Sequence, residues 1–576
     1  MTNKWNIRPQ TEETIHQADL LATELGLNPV IGRLLVQRGI TSVADTKKFF
    51  RPNLSDLHDP FLMPDMYKAV KRLNKALGNK EKILIYGDYD VDGTTAVSLV
   101  YKFLRSYSST LDYYIPDRYD EGYGISYKGI DYAGEHGVSL VIALDCGIKA
   151  IDKIQYANEK GIDFIICDHH KPDDELPEAI AVLDAKRTDS EYPYEHLSGC
   201  GVGFKFMQAF AKSNDIPFSE LENLLELTAV SIASDIVPIT GENRILAYYG
   251  LKQLNSNPSL GLKGIINICG LAGKEITISD IVFKIGPRIN ASGRMENGKE
   301  AVELLLAKNM QIAREKSETI NQYNEDRREL DKRITDEANA IINEIKNIEN
   351  QKGIVVYNPN WHKGVIGIVA SRLTEKHYRP SIVLTKSSSS ELVTGSARSI
   401  AGFDIYKAIE ACRDLLENFG GHTYAAGLSL REENLDLFIK RFIQLADDEI
   451  KPEQMTPQIE IDAVINLKDI NAKFMNELKM MNPLGPDNEK PVFCSQRVRD
   501  YGTSKRVGKE LEHLKLEIID GNGGGPVHGI AFGMHKYSSY IKEMKPFDIC
   551  YAIEENTYNG NTTIQLMVKD IKPLAT

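Results

Sequence analysis

The chain has 576 residues, 42% hydrophobic and 26% charged, with a formal net charge of −12. That length exceeds one ordinary core and implies about three to five domains. The acidic balance argues against a protein that coats nucleic acid indiscriminately, while leaving room for a local basic groove.

The N-terminal stretch MTNKWNIRPQTEETIHQADLL has no signal-like apolar core, and no run is long and apolar enough to span a bilayer. The seven cysteines form no CxxC pair. A cytoplasmic chain with reduced thiols and no membrane partner is expected.

Residues 1–75 read as a lead-in of short helices: ETIHQADLLATELGL, PVIGRLLVQRG and SVADTKKFF. From residue 76 to 240 strand and helix alternate. KILIYGD, DYYIPDR, VSLVIALDCG and IDFIICDHH are strands. GTTAVSLVYKFLRSY, ISYKGIDYAGEHG and IKAIDKIQYANEKG are helices. Continuous apolar strands alternating with helices predict a parallel sheet covered on both faces. The more helical stretch that follows brings Asp235 to a helix end before Pro238.

Residues 241–350 contain the loop GPRINASGRM and a long Lys-, Arg- and Glu-rich helix suited to bridge two domains. A second α/β unit spans 351–453, with strands GIVVYNP and PSIVLTK, helix GVIGIVASRLTEKH, and a turn at GSARS. Residues 454–576 change texture to short strands separated by turns, the pattern of a small antiparallel barrel. The pattern alone fits an oligonucleotide-binding barrel and a plain scaffolding barrel equally.

Acids and histidines stand at the tips of these apolar runs: Asp88, Asp90 and Asp92, then Asp145, then Asp168, His169 and His170, then Asp235. In open α/β sheets ligands sit at the carboxyl ends of strands. A period of two in an extended strand would put Asp88, Asp90 and Asp92 on one side, an arrangement that calls for cations. Oxygen and imidazole donors are the set preferred by Mn²⁺ or Mg²⁺. Adjacent His169 and His170 cannot point alike, so one ligates while the other faces substrate. Cys146 and Cys167 are expected to be small buried cysteines rather than zinc ligands.

Four arginines are candidate phosphate contacts: Arg118, Arg288 and Arg294 flanking INASG, and Arg398 beside Ser396.

The ordered set DYDVDG, LDCG, DHH, SDIVP, LSGCGVGFK, GPRINASGRM, WHKGVIGIVASR, GSARS and FGGHTYAAG closely resembles the DHH/DHHA1 phosphoesterase superfamily, and within it the bacterial single-strand-specific exonucleases. The resemblance runs from the first catalytic strand nearly to the C-terminus. It implies a multidomain α/β fold: a parallel-sheet DHH domain, a connector helix, a second α/β DHHA1 domain and a C-terminal OB-like barrel. It also implies two divalent cations, Mn²⁺ or Mg²⁺. Asp90 would hold one, Asp92 and His169 the other, with Asp145 bridging and Asp235 completing the coordination of the second cation. Asp88 would be a ligand or the partner of one, and Asp168 would orient a neighbouring imidazole. His170 would face the scissile phosphate. Arg118, Ser396 and Arg398 look like a pocket for a 5′ phosphate. Gly420, Gly421 and His422 resemble a DHHA1 signature, and His362 is a second candidate contact.

The implied function is a 5′-to-3′ exonuclease on single-stranded DNA, releasing 5′-mononucleotides in DNA repair and recombination. Its partner classes are a single-strand-binding protein and a helicase. Compact relatives that cleave short oligoribonucleotides, cyclic dinucleotides or pyrophosphate lack the connector and barrel. A non-enzymatic replication scaffold would have lost ligands that this chain keeps. Two stretches depart from the family pattern: VLDAKR, with Asp184 where asparagine is commoner, and NPLGPDNEKP.

Overall fold

The computed structural model describes residues 3–574 apart from 346, 388–390, 524 and 559–560. It forms two units, residues 54–455 and residues 1–53 with 456–576.

The larger unit begins with a five-stranded sheet. Its strands are β1 (Lys82–Gly87), β2 (Leu111–Tyr114), β3 (Val138–Leu144), β4 (Asp163–Cys167) and β5 (Ala181–Leu183). They lie in the order β2-β1-β3-β4-β5, all parallel. Continuous apolar sequence is what this sheet needs, because successive residues face opposite cores. Ile83, Ile85, Leu140, Ile142 and Ile165 join one cluster with helices α1 (Val91–Leu104) and α2 (Gly199–Ser213). Leu84, Tyr86, Val141, Ala143, Phe164 and Ile166 join the other, under the helices Tyr127–Glu135 and Ile151–Glu159. Helix α3 (Leu225–Ser234) packs on α1 and α2 and ends at Asp235.

GPRINASGRM, expected as a loop, is helix α4 (Gly286–Met295), entered through a π-helical turn at Ile281–Ile285. Pro287 lies in the first turn, where its fixed φ suits a helix, and the Ser292 hydroxyl donates back to the Ile289 carbonyl at 2.7 Å. Helix α5 (Met310–Glu344) is the bridge. Its Ile320 enters the core of the first sheet, and Ile334, Ala338 and Ile342 enter a core of the second.

The second sheet comprises β6 (Ile354–Tyr357), β7 (Ser381–Lys386), β8 (Leu392–Arg398), β9 (Leu416–His422) and β10 (Ala425–Arg431). Its order is β9-β10-β8-β7-β6, with only β6 and β7 parallel. Helix α6 (Ile366–His377) packs with α5 on one face, and α7 (Leu435–Glu449) packs on the other. GSARS is not a turn. Its first four residues, Gly395 to Arg398, end β8, where Val393, Gly395 and Ala397 are buried and Ser396 and Arg398 are half-buried.

In the other unit, the strand Lys4–Ile7 pairs in parallel with β11 (Gln458–Ile461). Leu21, Ile31, Leu34 and Leu35 of the N-terminal helices share a core with the C-terminal strands. The expected 1–75 lead-in is therefore divided between the two units. Seven strands follow: β12 (Ala463–Val464), β13 (Phe493–Asp500), β14 (Lys505–Val507), β15 (His513–Ile519), β16 (Val527–Ala531), β17 (Phe547–Tyr558) and β18 (Asn561–Pro573). Their order is β12-β13-β17-β18-β16-β15-β14, and an added β13–β15 pairing closes the sheet into a barrel. Among the described residues, no helix is long and apolar enough to cross a membrane.

Candidate metal centre and phosphate contacts

The apolar run of β1 stops at Gly87, and buried Asp88 follows it. The chain then turns directly into α1. Asp90 is the N-cap, its carboxylate accepting from the Gly93 N–H at 3.0 Å, and Asp92 lies in the first turn. The three acids therefore do not share one strand face, because the strand has ended before the second of them. Asp92 is held from across the fold. It accepts from the N–H groups of Gly199 and Cys200, each at 2.7 Å, and from the Ser231 hydroxyl at 2.7 Å. It thus sits on the positive N-terminal end of α2. The serine-and-glycine start of LSGCGVGF was the available signal for this contact.

Asp145 follows β3 with a φ of +59°, a left-handed conformation costly for a non-glycine residue. Its N–H donates to the Cys167 carbonyl at 2.9 Å, which ties the ends of β3 and β4 together. Asp168 accepts from the Ile148 N–H at 2.9 Å and, through its other oxygen, from the His169 N–H and His170 Nδ1 at 2.7 Å each. It orients His170.

The imidazole of His169 points at the acids. Its Nε2 lies 3.2 Å from Asp145 Oδ1, 3.6 Å from Asp235 Oδ2 and 3.8 Å from Asp92 Oδ2. Ligand atoms of Asp92, His169 and Asp235, and of Asp145, His169 and His170, lie within 4.8 Å of one another. Asp88 and Asp90 enter neither grouping. Both ring nitrogens of His169, one oxygen of Asp145 and one of Asp88 are buried with no hydrogen-bond partner. Unpaired buried donors and acceptors of this kind are costly unless something else binds them. Burial raises the thiol pKa values of Cys146, Cys167 and Cys200, so these cysteines stay protonated. The remaining donor set is oxygen and imidazole, and it fits Mn²⁺ or Mg²⁺.

Electrostatics agree. Burial, reinforced by neighbouring carboxylates, raises Asp88, Asp90 and Asp145 and pushes Asp235 up to about 8. Burial lowers His169, keeping it in the neutral form that ligates. For His170 burial is outweighed by the Asp168 hydrogen bond, which lifts it to about 9. The same bond overcomes burial at Asp168 and holds it near 2.

These shifts carry opposite signs for stability. With Asp235 raised to about 8, the metal-free folded state binds more protons than the unfolded chain between about pH 4 and 8, so stability falls as pH rises through that window. The Asp168 contribution is present above the ordinary carboxylate value and is lost only as pH falls toward 2. The His170 contribution is full below about pH 6.5 and is lost as pH rises through about 9. In chelator, the melting temperature is expected to drop between pH 5 and 8, and Mn²⁺ should flatten that drop. An equal drop with and without Mn²⁺ would contradict the assignment.

Residues outside the motif reading support the cluster. Lys186 donates to the His169 carbonyl at 2.5 Å, and its N–H is held by buried Asp184 at 2.7 Å. Burial raises Asp184 to about 7. The Tyr123 hydroxyl lies 3.1 Å from His170 Nε2 and donates to the Asp145 carbonyl at 3.3 Å. Lys186 and Tyr123 gave no spacing signal of their own.

The candidate phosphate contacts divide. The Arg118 guanidinium lies 4.8 Å above the Tyr89 ring. Arg294 donates to the Gly364 carbonyl at 2.9 Å, while Tyr119 donates to the Arg294 carbonyl. Burial, followed by the charges of Arg118, Arg327 and Arg398, lowers Arg294 to about 10, so these four cations share one region. Arg327, on α5, was not anticipated. Arg398 donates to Ser396 Oγ at 3.0 Å and to the Ala397 carbonyl at 2.8 Å. His362 accepts from the Gly364 N–H at 3.1 Å and meets Tyr119 edge-on. Arg288 is held by Asn321 and the Lys284 carbonyl, and its charge is felt at Arg327. In the second sheet Ala425 pairs with Arg398 on one side and His422 on the other, which puts those two side chains on one face. Gly421, with φ +145°, precedes His422 on the exposed edge strand β9.

Three family descriptions match the chain: DHH family, N-terminal domain, over residues 82–232; DHHA1 domain over 336–448; and RecJ OB domain over 461–570. The chain is 35% identical to the single-stranded-DNA-specific exonuclease RecJ of Bacillus subtilis, covering 98% of this chain and 70% of that protein. It is 33% identical to the Haemophilus influenzae protein of that name (95% and 96% covered). For the Escherichia coli protein the figure is 30% (99% and 100% covered). The fold matches the crystal structure of RecJ in complex with Mn²⁺ from Thermus thermophilus with a TM-score of 0.84 at 23% identity, over 100% of this chain and 80% of that one. With the acid and histidine cluster at the strand ends and these likenesses over almost its whole length, the chain belongs to the RecJ family.

Proposed function

We propose that this protein is a single-stranded-DNA-specific exonuclease that hydrolyses phosphodiester bonds from the 5′ end to 5′-mononucleotides, using two divalent cations, Mn²⁺ or Mg²⁺. The observation that carries the reading is the convergence of Asp92, Asp145 and Asp235 on the unpartnered Nε2 of His169. In this reading Asp90 would hold one cation, Asp92, His169 and Asp235 would hold the other, and Asp145 would serve both. Asp88 is a ligand or the partner of one. Bound there, the cations supply Lewis-acid activation of water and of the phosphorus centre.

The chain's own groups do the rest. Asp168 keeps His170 protonated and aimed, so that it donates to a non-bridging phosphate oxygen. Arg118, Arg294, Ser396 and Arg398 bind the terminal 5′ phosphate, with His362, Gly421 and His422 along the strand. Arg288, held by Asn321 of α5 and the Lys284 carbonyl, is a further contact to the strand. Partners of the single-strand-binding and helicase classes, and a cytoplasmic location, belong to the same reading.

The test is a comparison of long single strands, duplex and dinucleotides as substrates. Degradation of single strands is expected, and cleavage of dinucleotides alone would defeat the proposal. Arg398→Ala is expected to weaken binding of 5′-phosphorylated ends about tenfold or more, as loss of a charge-assisted contact does, with little effect on 5′-hydroxyl ends. An unchanged end preference would count against the pocket.

A further inference from the structure

We propose that Tyr123 is a further catalytic residue: its hydroxyl, beside His170, donates to a non-bridging oxygen of the phosphate under attack. The inference rests on the exonuclease reading and names a group that the family motifs do not assign.

Tyr123 stands between two glycines with left-handed backbones, Gly122 at φ +83° and Gly124 at φ +79°. Such a turn would be strained with side chains at either position. The turn is anchored from beneath. The Gly124 carbonyl accepts from the Tyr86 hydroxyl at 2.9 Å, and the Gly124 N–H donates to Asp88 at 3.4 Å. Tyr86 is itself buried in the sheet core. The backbone of Tyr123 is thus tied to the strand-end acids, and the residue is 55% exposed.

The ring is also placed. It meets His170 edge-on at 5.9 Å and Tyr89 at 6.4 Å. The hydroxyl hydrogen-bonds with His170 Nε2 at 3.1 Å and donates to the Asp145 carbonyl at 3.3 Å. That is a long bond for an O–H donor, whose usual distance is about 2.7–2.8 Å. A phosphate oxygen reaching His170 Nε2 comes within reach of the same hydroxyl, and a charged acceptor makes the stronger bond. The Tyr123 hydroxyl and His170 Nε2, 3.1 Å apart, are spaced so that one phosphate oxygen can meet both. Tyr123 keeps its proton throughout. It stabilises charge on the phosphate and takes no part in transferring a proton to the leaving oxygen.

The experiment is single-turnover digestion of 5′-phosphorylated single-stranded DNA by wild type, Tyr123→Phe, His170→Ala and the double variant, with Mn²⁺ affinity measured by electron paramagnetic resonance. Phe keeps the ring contacts and removes only the donor. The expected rate loss for Tyr123→Phe is about ten- to a hundredfold, with DNA affinity and Mn²⁺ affinity unchanged. The double variant should lose less than the product of the two single losses, because both donors serve one oxygen. A Tyr123→Phe rate equal to wild type overturns the inference, and so does a loss of Mn²⁺ affinity in that variant, which would make Tyr123 a support of the acid cluster. If wild type itself leaves single strands intact, the exonuclease reading fails instead.

Discussion

Asp145→Ala is expected to lower strand degradation by more than about a thousandfold, beyond the ten- to hundredfold typical of groups that only support a ligand. Asp145 alone combines the shortest approach to His169, 3.2 Å, with an unpartnered buried oxygen and a left-handed backbone. A residue held in so costly a conformation is there for its side chain. The same substitution is expected to leave the metal-free protein as stable as wild type, or more so. Burial and the charges of Asp92, Asp90 and Asp235 all disfavour the Asp145 carboxylate, and alanine removes that repulsion. Activity lost with the melting temperature in chelator unchanged or raised is therefore the expected pair of results. Wild-type-like turnover would sink the assignment.

Gly199→Ala is expected to be the next most damaging, although Gly199 carries no chemistry. A Cβ at that position would lie 2.6 Å from both Cβ and Oδ1 of Asp145. The Gly199 N–H also holds Asp92 at 2.7 Å. Relieving the clash must move Asp145, the start of α2, or both, and each movement displaces a carboxylate. A misplacement on the order of 1 Å at a reacting centre can cost about a hundredfold. Gly201→Ala is the control. Its Cβ would meet Ser198 Oγ at 3.3 Å and Leu197 at 3.5 Å, neighbours that need give only slightly. A rate loss of about a hundredfold with weakened Mn²⁺ binding is expected for Gly199→Ala and near-wild-type behaviour for Gly201→Ala. Equal behaviour of the two variants would show that the α2 start does not position the site.

Much of this arrangement is legible in the sequence, because buried parallel strands must be apolar and their polar successors must lie at one edge of the sheet. That logic places Asp88, Asp145 and Asp168. It misplaces the geometry of Asp90 and Asp92, since a period-two argument cannot see that the strand ends at Gly87 and a helix begins at Val91. Local composition also misleads at INASG and GSARS. Small residues there signal close packing inside a helix and a strand, not turns. The supports of the site escape because they are long-range. Asp92 is bound from residues 199, 200 and 231, His169 from Lys186, and Arg294 lies among cations from three different segments. Leu21 and Leu34 likewise find their core partners only after the whole intervening unit has been traversed.

The most direct test of the central claim is the product pattern from one single strand labelled at its 5′ end and, separately, at its 3′ end, digested with Mn²⁺ or Mg²⁺ and with chelator. The account predicts immediate release of the 5′ label as a mononucleotide, late release of the 3′ label, and no reaction in chelator. Internal cuts, release from the 3′ end first, or undiminished digestion in chelator would contradict it.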